Sequence, residues 1–237
     1  MPTQRVQLVN NEMYHVVFRA VGDAQIFIDK DDHYRGLFSI YEFNNKNFVS
    51  IYKRRLQRIK EKARRGPTPS DLDNRDVFVE ILCFCFMPNH IHLLLKQVKE
   101  NGISQFMQKV GTGYASYFNK KYKRKGHLFN KFKAIHIKTN DQLKNVFVYI
   151  HCNPLSLIEP GWKERGVKNY KKAVNFLEKE YKWSSYFDYI GIKNFPSVTY
   201  REFLTNVMGD EMRCSEIVKS WIKHKKEMKD FGNVALE

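Results

Sequence analysis

The stretch VFVEILCFCFMPNHIHLLLKQV, residues 77–98, decides the fold. Residues 77–87 are apolar on both faces apart from Glu80, the pattern of a central strand covered on both sides. Pro88-Asn89 breaks the run with a turn, and residues 90–98 run back as a second strand. Side chains two apart share a strand face, so His90 and His92 point together while Ile91 points the other way, into the core. Two imidazoles side by side make half a metal site. They are also what two histidines on a solvent-facing strand edge look like, and an HxH pair alone favours that plainer reading.

Working outward, MYHVVFRAV (13–21) reads as a strand of β-branched and aromatic residues. Asp31-Asp32 opens DDHYRGLFSIYEF, where Tyr34, Leu37, Phe38 and Tyr41 follow the i, i+3, i+4, i+7 helical rule. A strongly basic segment over roughly 46–75 follows and runs into a loop at Gly66-Pro67-Thr68-Pro69. Residues 101–123 predict a helix. GHLFNKFKAIHIK (126–138) predicts a strand with Lys131 and Lys133 on one face. TNDQLKNVFVYIHCN (139–153) predicts a helix capped by Thr139 or Asn140 and stopped by Pro154. Beyond it lie a helix over 170–180, the segment YKWSSYFDYIG, and a basic helical tail from Asp210.

The order through residue 153 is β-α-β-β-α-β-α, and its first six elements match the ferredoxin-like split βαβ pattern. The expected fold is therefore α+β, an antiparallel sheet with a helical C-terminal extension. One sheet face carries helices, and the other face, or one end of it, is free for a ligand. The expected division is a domain over 1–160, with the basic insertion near 46–75, and an extension over 161–237.

Lys and Arg number 41 against 25 Asp and Glu, a net charge of +16. Such an excess bears on partners rather than on fold, and nucleic acid is the leading class, ahead of an anionic membrane surface. The N-terminus MPTQRVQLVN has no apolar core of signal-peptide length, and no run approaches the roughly 18 apolar residues of a membrane span. The 4 cysteines include no CxxC pair, and Cys83 and Cys85 sit two apart in a strand, a poor arrangement for a mutual disulfide. Reduced thiols and a cytoplasmic protein are expected.

The helix over 139–153 shifts the weight of the histidine pair. Leu143, Val146, Phe147 and Ile150 form its buried stripe, and at about 100° per residue Tyr149 and Asn153 share one flank of that stripe. From an edge position a phenol reaches out of the core toward a cleft, and Asn153, one turn on, has a carbonyl oxygen to offer the same metal. A border tyrosine followed by an asparagine C-cap before proline reads equally well.

At these residues the chain resembles a known family. MPNHIHLLL is similar to the His-hydrophobic-His signature of the single-tyrosine HUH transposases, the IS200-like group. YIHCNP resembles that family's catalytic-tyrosine helix, with its YxxxN or YxxxQ pattern. YHVVFRAVGDAQIFIDKDDHYRGLF resembles its opening strand and first helix, and GHLFNKFKAIHI its fourth strand. YKWSSYFDYIG is similar to the Trp-Ser-Ser element of the REP-associated branch, the RAYT proteins. The likeness covers about residues 13–191; the basic segment is longer than usual and the C-terminal tail is unmatched.

The resemblance implies that Tyr149 is the nucleophile and that His90, His92 and Asn153 hold a divalent metal, Mg²⁺ or Mn²⁺, although two imidazoles suit Mn²⁺ or Zn²⁺ better than Mg²⁺. It implies single-stranded or hairpin DNA as partner, a 5′-phosphotyrosine intermediate and no ATP, in keeping with the absence of a GxxxxGK[ST] loop. It leaves monomer or homodimer open. With a reference pKa of about 10, the tyrosine needs activation; His136 and His151 are candidates by residue type alone. Lys131, Lys133, Arg54, Arg55 and Arg58 are candidates for phosphate contacts, and Tyr114, Tyr117 and Phe118 for base stacking, although core packing claims at least two of these aromatics. Trp183 is read as the anchor of the C-terminal segment. Two rivals stand: a non-catalytic binder of hairpin DNA or RNA on the same fold, and a hydrolase using the histidine pair without a covalent tyrosine.

Overall fold

A computed structural model of the chain describes residues 6–50, 52–54, 56, 59–60 and 75–225. Four strands, β1 (Met13–Arg19), β2 (Val79–Met87), β3 (His90–Gln97) and β4 (Lys133–Ile137), form one sheet in the order β2-β3-β1-β4. Every neighbouring pair is antiparallel. Helix α1 (Lys30–Glu42) joins β1 to β2, α2 (Gly102–Lys121) joins β3 to β4, and α3 (Asn140–Cys152) follows β4. The predicted element order and the ferredoxin-like topology both hold.

Local chemistry explains the helix ends. The N-cap of α1 is Asp29, two residues before the expected start, and it forms a reciprocal capping box with Asp32. The oxygen of Thr139 accepts from the backbone N–H of Gln142 and starts α3. Asn153-Pro154 then turns the chain into a short 3₁₀ segment, Asn153–Leu157.

Helices α1 and α2 cover one sheet face. Leu37, Ile40, Phe106, Val110 and Tyr114 pack there against Tyr14, Val16, Phe18, Phe84, Phe86 and Leu93. The buried side of α1 is Gly36, Leu37 and Ile40; Tyr34 and Phe38, expected inward, are about two-fifths exposed. Tyr114 and Phe118 are core residues.

The second face is not open. Leu94, Cys83, Cys85 and Met87 meet α3, and over α3 lie Trp162, Leu177, Leu204, Cys214, Val218 and Trp221 from the C-terminal extension. That extension runs through α4 (Trp162–Arg165), α5 (Tyr170–Asn175) with a π-helical continuation (Phe176–Glu180), α6 (Tyr186–Tyr189), α7 (Arg201–Met208) and α8 (Glu211–His224). The cover has a sequence cause: both alternating sets of β2 side chains are apolar apart from Glu80, and β3 adds Leu94 to this side, so both faces demand burial. A register shift between Ile81 and Cys83 re-phases β2, so that Val79 and Ile81 before it, and Phe84 and Phe86 after it, reach the same face.

β2 is thus apolar on both sides yet lies at the sheet edge rather than at its centre. The extension takes the place of a neighbour. Phe86 N–H donates to the Trp183 carbonyl, Ser185 N–H to the Phe84 carbonyl and Tyr200 N–H to the Ile81 carbonyl. Trp183 stacks on His33 at 4.3 Å between ring centroids, which makes it the anchor expected from the sequence. β4 is shorter than predicted; Lys131 precedes it, and both Lys131 and Lys133 are exposed.

Candidate active site

Period-two alternation puts His15, Val17 and Arg19 of β1 on the α3 side of the sheet, opposite Tyr14, Val16 and Phe18. β3 sends His90, His92 and Leu94 to that same side. In register, His92 faces Val17 and His90 faces Arg19. His15 and His92 are diagonal neighbours across the two strands, within reach for ring side chains.

Three histidines make a chain of contacts there. The Nε2 atoms of His90 and His92 are 2.9 Å apart, and His92 Nδ1 is 3.0 Å from His15 Nε2. His15 and His92 have no exposed surface, while His90 keeps 8% at the mouth. His90 Nδ1 is 2.6 Å from Asn89 Oδ1. A carbonyl oxygen only accepts, so Nδ1 of His90 carries the proton and its Nε2 presents a lone pair toward His92. Burial, then the charges of Arg19 and Lys163, push the His90 pKa down to about 3. Burial, then His90 and His15, hold His92 well below the ordinary value. Both rings are neutral at pH 7, the form that binds a metal.

Tyr149 closes the site from α3. Its ring centroid is 5.6 Å from that of His15 and 5.6 Å from that of His92, edge-on to both. Sequence reasoning put the phenol at an exposed edge, but Tyr149 has no accessible surface, because the extension covers the back of α3 and buries its C-terminal half all round. Burial raises the phenol to about 12, with an Asn153 side-chain hydrogen bond and the charge of Arg19 acting the other way. Asn153 is buried and its amide nitrogen donates to the Tyr149 carbonyl at 3.0 Å. Tyr149 and Asn153 are therefore brought together, as are Tyr149 and His92.

His15, Arg19 and Lys163 were missed. Two of them carried a signal: His15 and Arg19 are the polar positions of one face of an otherwise apolar strand, in phase with one another. Lys163, on α4, lies with its Nζ 5.1 Å from the Tyr149 ring centroid, and nothing in its local sequence points there. The two activation candidates are placed elsewhere. His136 pairs with Glu12 at 2.9 Å and stacks on Tyr14, on the other side of the sheet. His151 Nε2 is 2.8 Å from Ser185 Oγ, tying α3 to the segment that seals β2.

Among the phosphate-contact candidates, Arg54 lies 3.8 Å from Glu42 Oε2 in an ion pair, and Arg55 and Arg58 fall outside the described residues. Among the described residues no group of three His, Cys, Asp or Glu is placed to hold a metal ion. The His90–His92 pair nevertheless fits one as a two-nitrogen half-site. The bare Nε2 lone pair of His90, fixed by Asn89, is a donor a divalent ion needs, and His92 offers a second once its Nε2 proton passes to Nδ1, facing His15. Adjacent ligands at about 2.1 Å on an octahedral ion stand about 3 Å apart, close to the observed nitrogen separation.

The transposase IS200-like family model matches residues 8–153. The chain belongs to the IS200-like transposase family. The match spans the whole sheet with α1, α2 and α3, includes every histidine and tyrosine of the site, and stops before Lys163. No curated protein matches the chain. Among solved structures it is similar to a REP-associated tyrosine transposase bound to a REP hairpin, at 13% identity over 82% of this chain and 90% of that one, TM-score 0.47. It is also similar to a bacterial tRNA(His) guanylyltransferase-like protein in complex with GTP, at 11% identity over 65% and 69% of the two chains, TM-score 0.36. Among the described residues no helix of this IS200-like transposase is long and apolar enough to cross a membrane.

Proposed function

We propose that this chain is a metal-assisted strand-transferase of the REP-associated type, which cleaves and rejoins single-stranded, hairpin-bearing DNA with Tyr149 as nucleophile. Residues 1–160 act as the catalytic domain and 161–237 as its extension. The observation that carries the reading is the lodging of the Tyr149 ring against His15 and His92, beside the convergent Nε2 atoms of His90 and His92.

His90 and His92 hold a divalent ion, Mg²⁺ or Mn²⁺, with Asn153 as the third donor. When bound, the ion offsets phosphate charge and polarises the phosphoryl oxygen. Asn89 and His15 fix the two ligand rings from behind. The Tyr149 oxygen attacks the scissile phosphorus, its bond to phosphorus forms as the bond to the 3′ oxygen breaks, and the product is a 5′-phosphotyrosine and a free 3′-OH. The phenol proton is lost as the 3′ oxygen gains one. Ester replaces ester, so no ATP is needed. Lys131, Lys133, Arg54, Arg55 and Arg58 neutralise the DNA backbone.

One observation favours the rival, non-catalytic reading: Tyr149 has no accessible surface. Purified protein incubated with end-labelled hairpin DNA and Mn²⁺, then run on a denaturing gel, decides between them. A shifted band removed by protease, lost with Tyr149→Phe and lost in EDTA, supports the enzyme. Retention of DNA without any covalent band supports the binder. Cleavage with no adduct supports a hydrolase.

A further inference from the structure

We propose that Lys163 is a catalytic residue of this site, contributed by the extension, whose ammonium contacts the scissile phosphate beside Tyr149. The inference rests on the phosphotyrosine reading above.

The placement is built rather than incidental. Lys163 sits on the short helix α4, directly after Trp162, which has no exposed surface and packs edge-on to Trp221 of α8 at 5.7 Å. That wedge fixes the backbone from which Lys163 leans over the Tyr149 ring, 5.1 Å from its centroid. Arg19, on β1, faces His90 across the sheet. Tyr149 and the histidine pair thus lie near two positive side chains that come from different parts of the chain.

Burial lowers Lys163 to about 8, with Glu164 pulling upward and Arg19 pushing further down; it is still mainly protonated at neutral pH. A phosphodiester seated for attack by Tyr149 brings a negative charge that grows over its non-bridging oxygens as the new bond forms. A fixed cation beside that charge stabilises the transition state more than the ground state. The bonds made and broken are those of the tyrosine attack, and Lys163 keeps its protons throughout. A purely structural lysine, holding the Tyr149 ring by cation–π contact, would give no such preference for a charged phosphate.

The test uses the full chain, hairpin DNA and Mn²⁺ under single-turnover conditions. Wild type, Lys163→Met, Lys163→Arg and Tyr149→Phe are compared on the natural phosphodiester and on a substrate with a methylphosphonate at the scissile position, which removes the charge. Lys163→Met is expected to slow adduct formation by on the order of 10²–10³-fold, while DNA affinity falls by less than about tenfold, one phosphate contact among several. Lys163→Arg recovers most of the rate, and the Lys163→Met defect largely disappears on the methylphosphonate. A Lys163→Met rate equal to wild type, or a defect as large on the neutral substrate as on the charged one, overturns the proposal. If Lys163→Met does not fold, Lys163→Gln takes its place on the two substrates, and a defect equal on both overturns the proposal. Absence of a covalent band in wild type overturns the tyrosine reading itself, and Lys163 with it.

Discussion

Strand β1 sends Tyr14, Val16 and Phe18 to one face of the sheet and His15 and Arg19 to the other, and the two faces differ in how they satisfy burial. On the α1–α2 face, aliphatic and aromatic side chains fill the space, and a fully buried charge, Asp32, is met by Lys121 at 2.8 Å, Tyr122 at 2.7 Å and Tyr117 at 3.0 Å. On the α3 face, four histidines (His15, His90, His92 and His151) are buried, and burial pushes the pKa values of His90, His92 and His151 down. A buried group that is fully answered stabilises; one left able to bind something else is available for chemistry. The comparison teaches that β3 packs one core with its odd residues and gathers histidines with two of its even ones.

The sharpest way to break that division is to mutate across it. His92→Ala is expected to take strand cleavage to background, because it removes one of two nitrogen donors, while the protein still unfolds cooperatively. Phe106→Ala, on the opposite face, should do the reverse: a loss of about 3–5 kcal/mol in a denaturant melt, with the rate per folded molecule unchanged. If Phe106→Ala abolishes cleavage in protein that is still folded, the two faces are not separable. His15→Phe is next in size. It keeps the ring volume but removes the contact to His92 Nδ1, and a 10–100-fold fall in metal affinity, read by Mn²⁺ titration of activity, is expected of an outer supporting residue. An unchanged Mn²⁺ titration would make His15 a packing residue only.

Ser185→Ala probes the join between the faces and the extension. Its hydroxyl accepts from Phe84 N–H at 3.0 Å and lies 2.8 Å from His151 Nε2, so a destabilisation of about 1–3 kcal/mol is expected from the polar groups left unpaired. The smallest effect is the slope of stability against pH, and it distinguishes the faces by window. His151 is lowered from 6.5 to about 3 by burial, so the unfolded chain takes up its proton first. Stability from this group is whole above pH 6.5 and is lost as pH falls toward 3, at about 1.4 kcal/mol per pH unit. Asp32 is raised by burial but lowered more by Lys121 and its other donors, to a value below 3.8. Its contribution is present above pH 3.8 and is lost only as pH falls through its folded value. His151→Gln should reduce the slope of the upper window, which His90 and His92 share, by up to about 1.4 kcal/mol per pH unit in urea titrations at pH 4–6, and leave the lower one.

Much of this was legible from residue order. The hairpin at Pro88-Asn89, the Thr139 cap and the stripe Leu143-Val146-Phe147-Ile150 follow from local rules that depend only on near neighbours. His90 and His92 sharing a face follows from strand alternation alone. The exposure of Tyr149 did not, because it depends on Trp162, Val218 and Trp221, which arrive from far along the chain and cover what periodicity marks as an edge. Tyr34 and Phe38 went astray for the converse reason: the α1 stripe can be drawn through aromatic residues or through Gly36, Leu37 and Ile40, and only the sheet chooses. Lys163 left no trace, since its role depends on where a wedge of tryptophan happens to hold it.

The seal along β2 has a consequence for how this protein can be divided. The family match ends at residue 153, and a chain cut near there would look like a complete unit. It would lose the carbonyl of Trp183, the amide of Ser185 and the amide of Tyr200 that answer the outer edge of β2, leaving a largely apolar strand of 9 residues with open hydrogen-bonding groups. Such an edge recruits strands from other copies. Fragments ending near residue 160 are therefore expected to be recovered as insoluble aggregates, so gene trimming or domain exchange at the family boundary would fail at the level of solubility before any question of DNA chemistry arose.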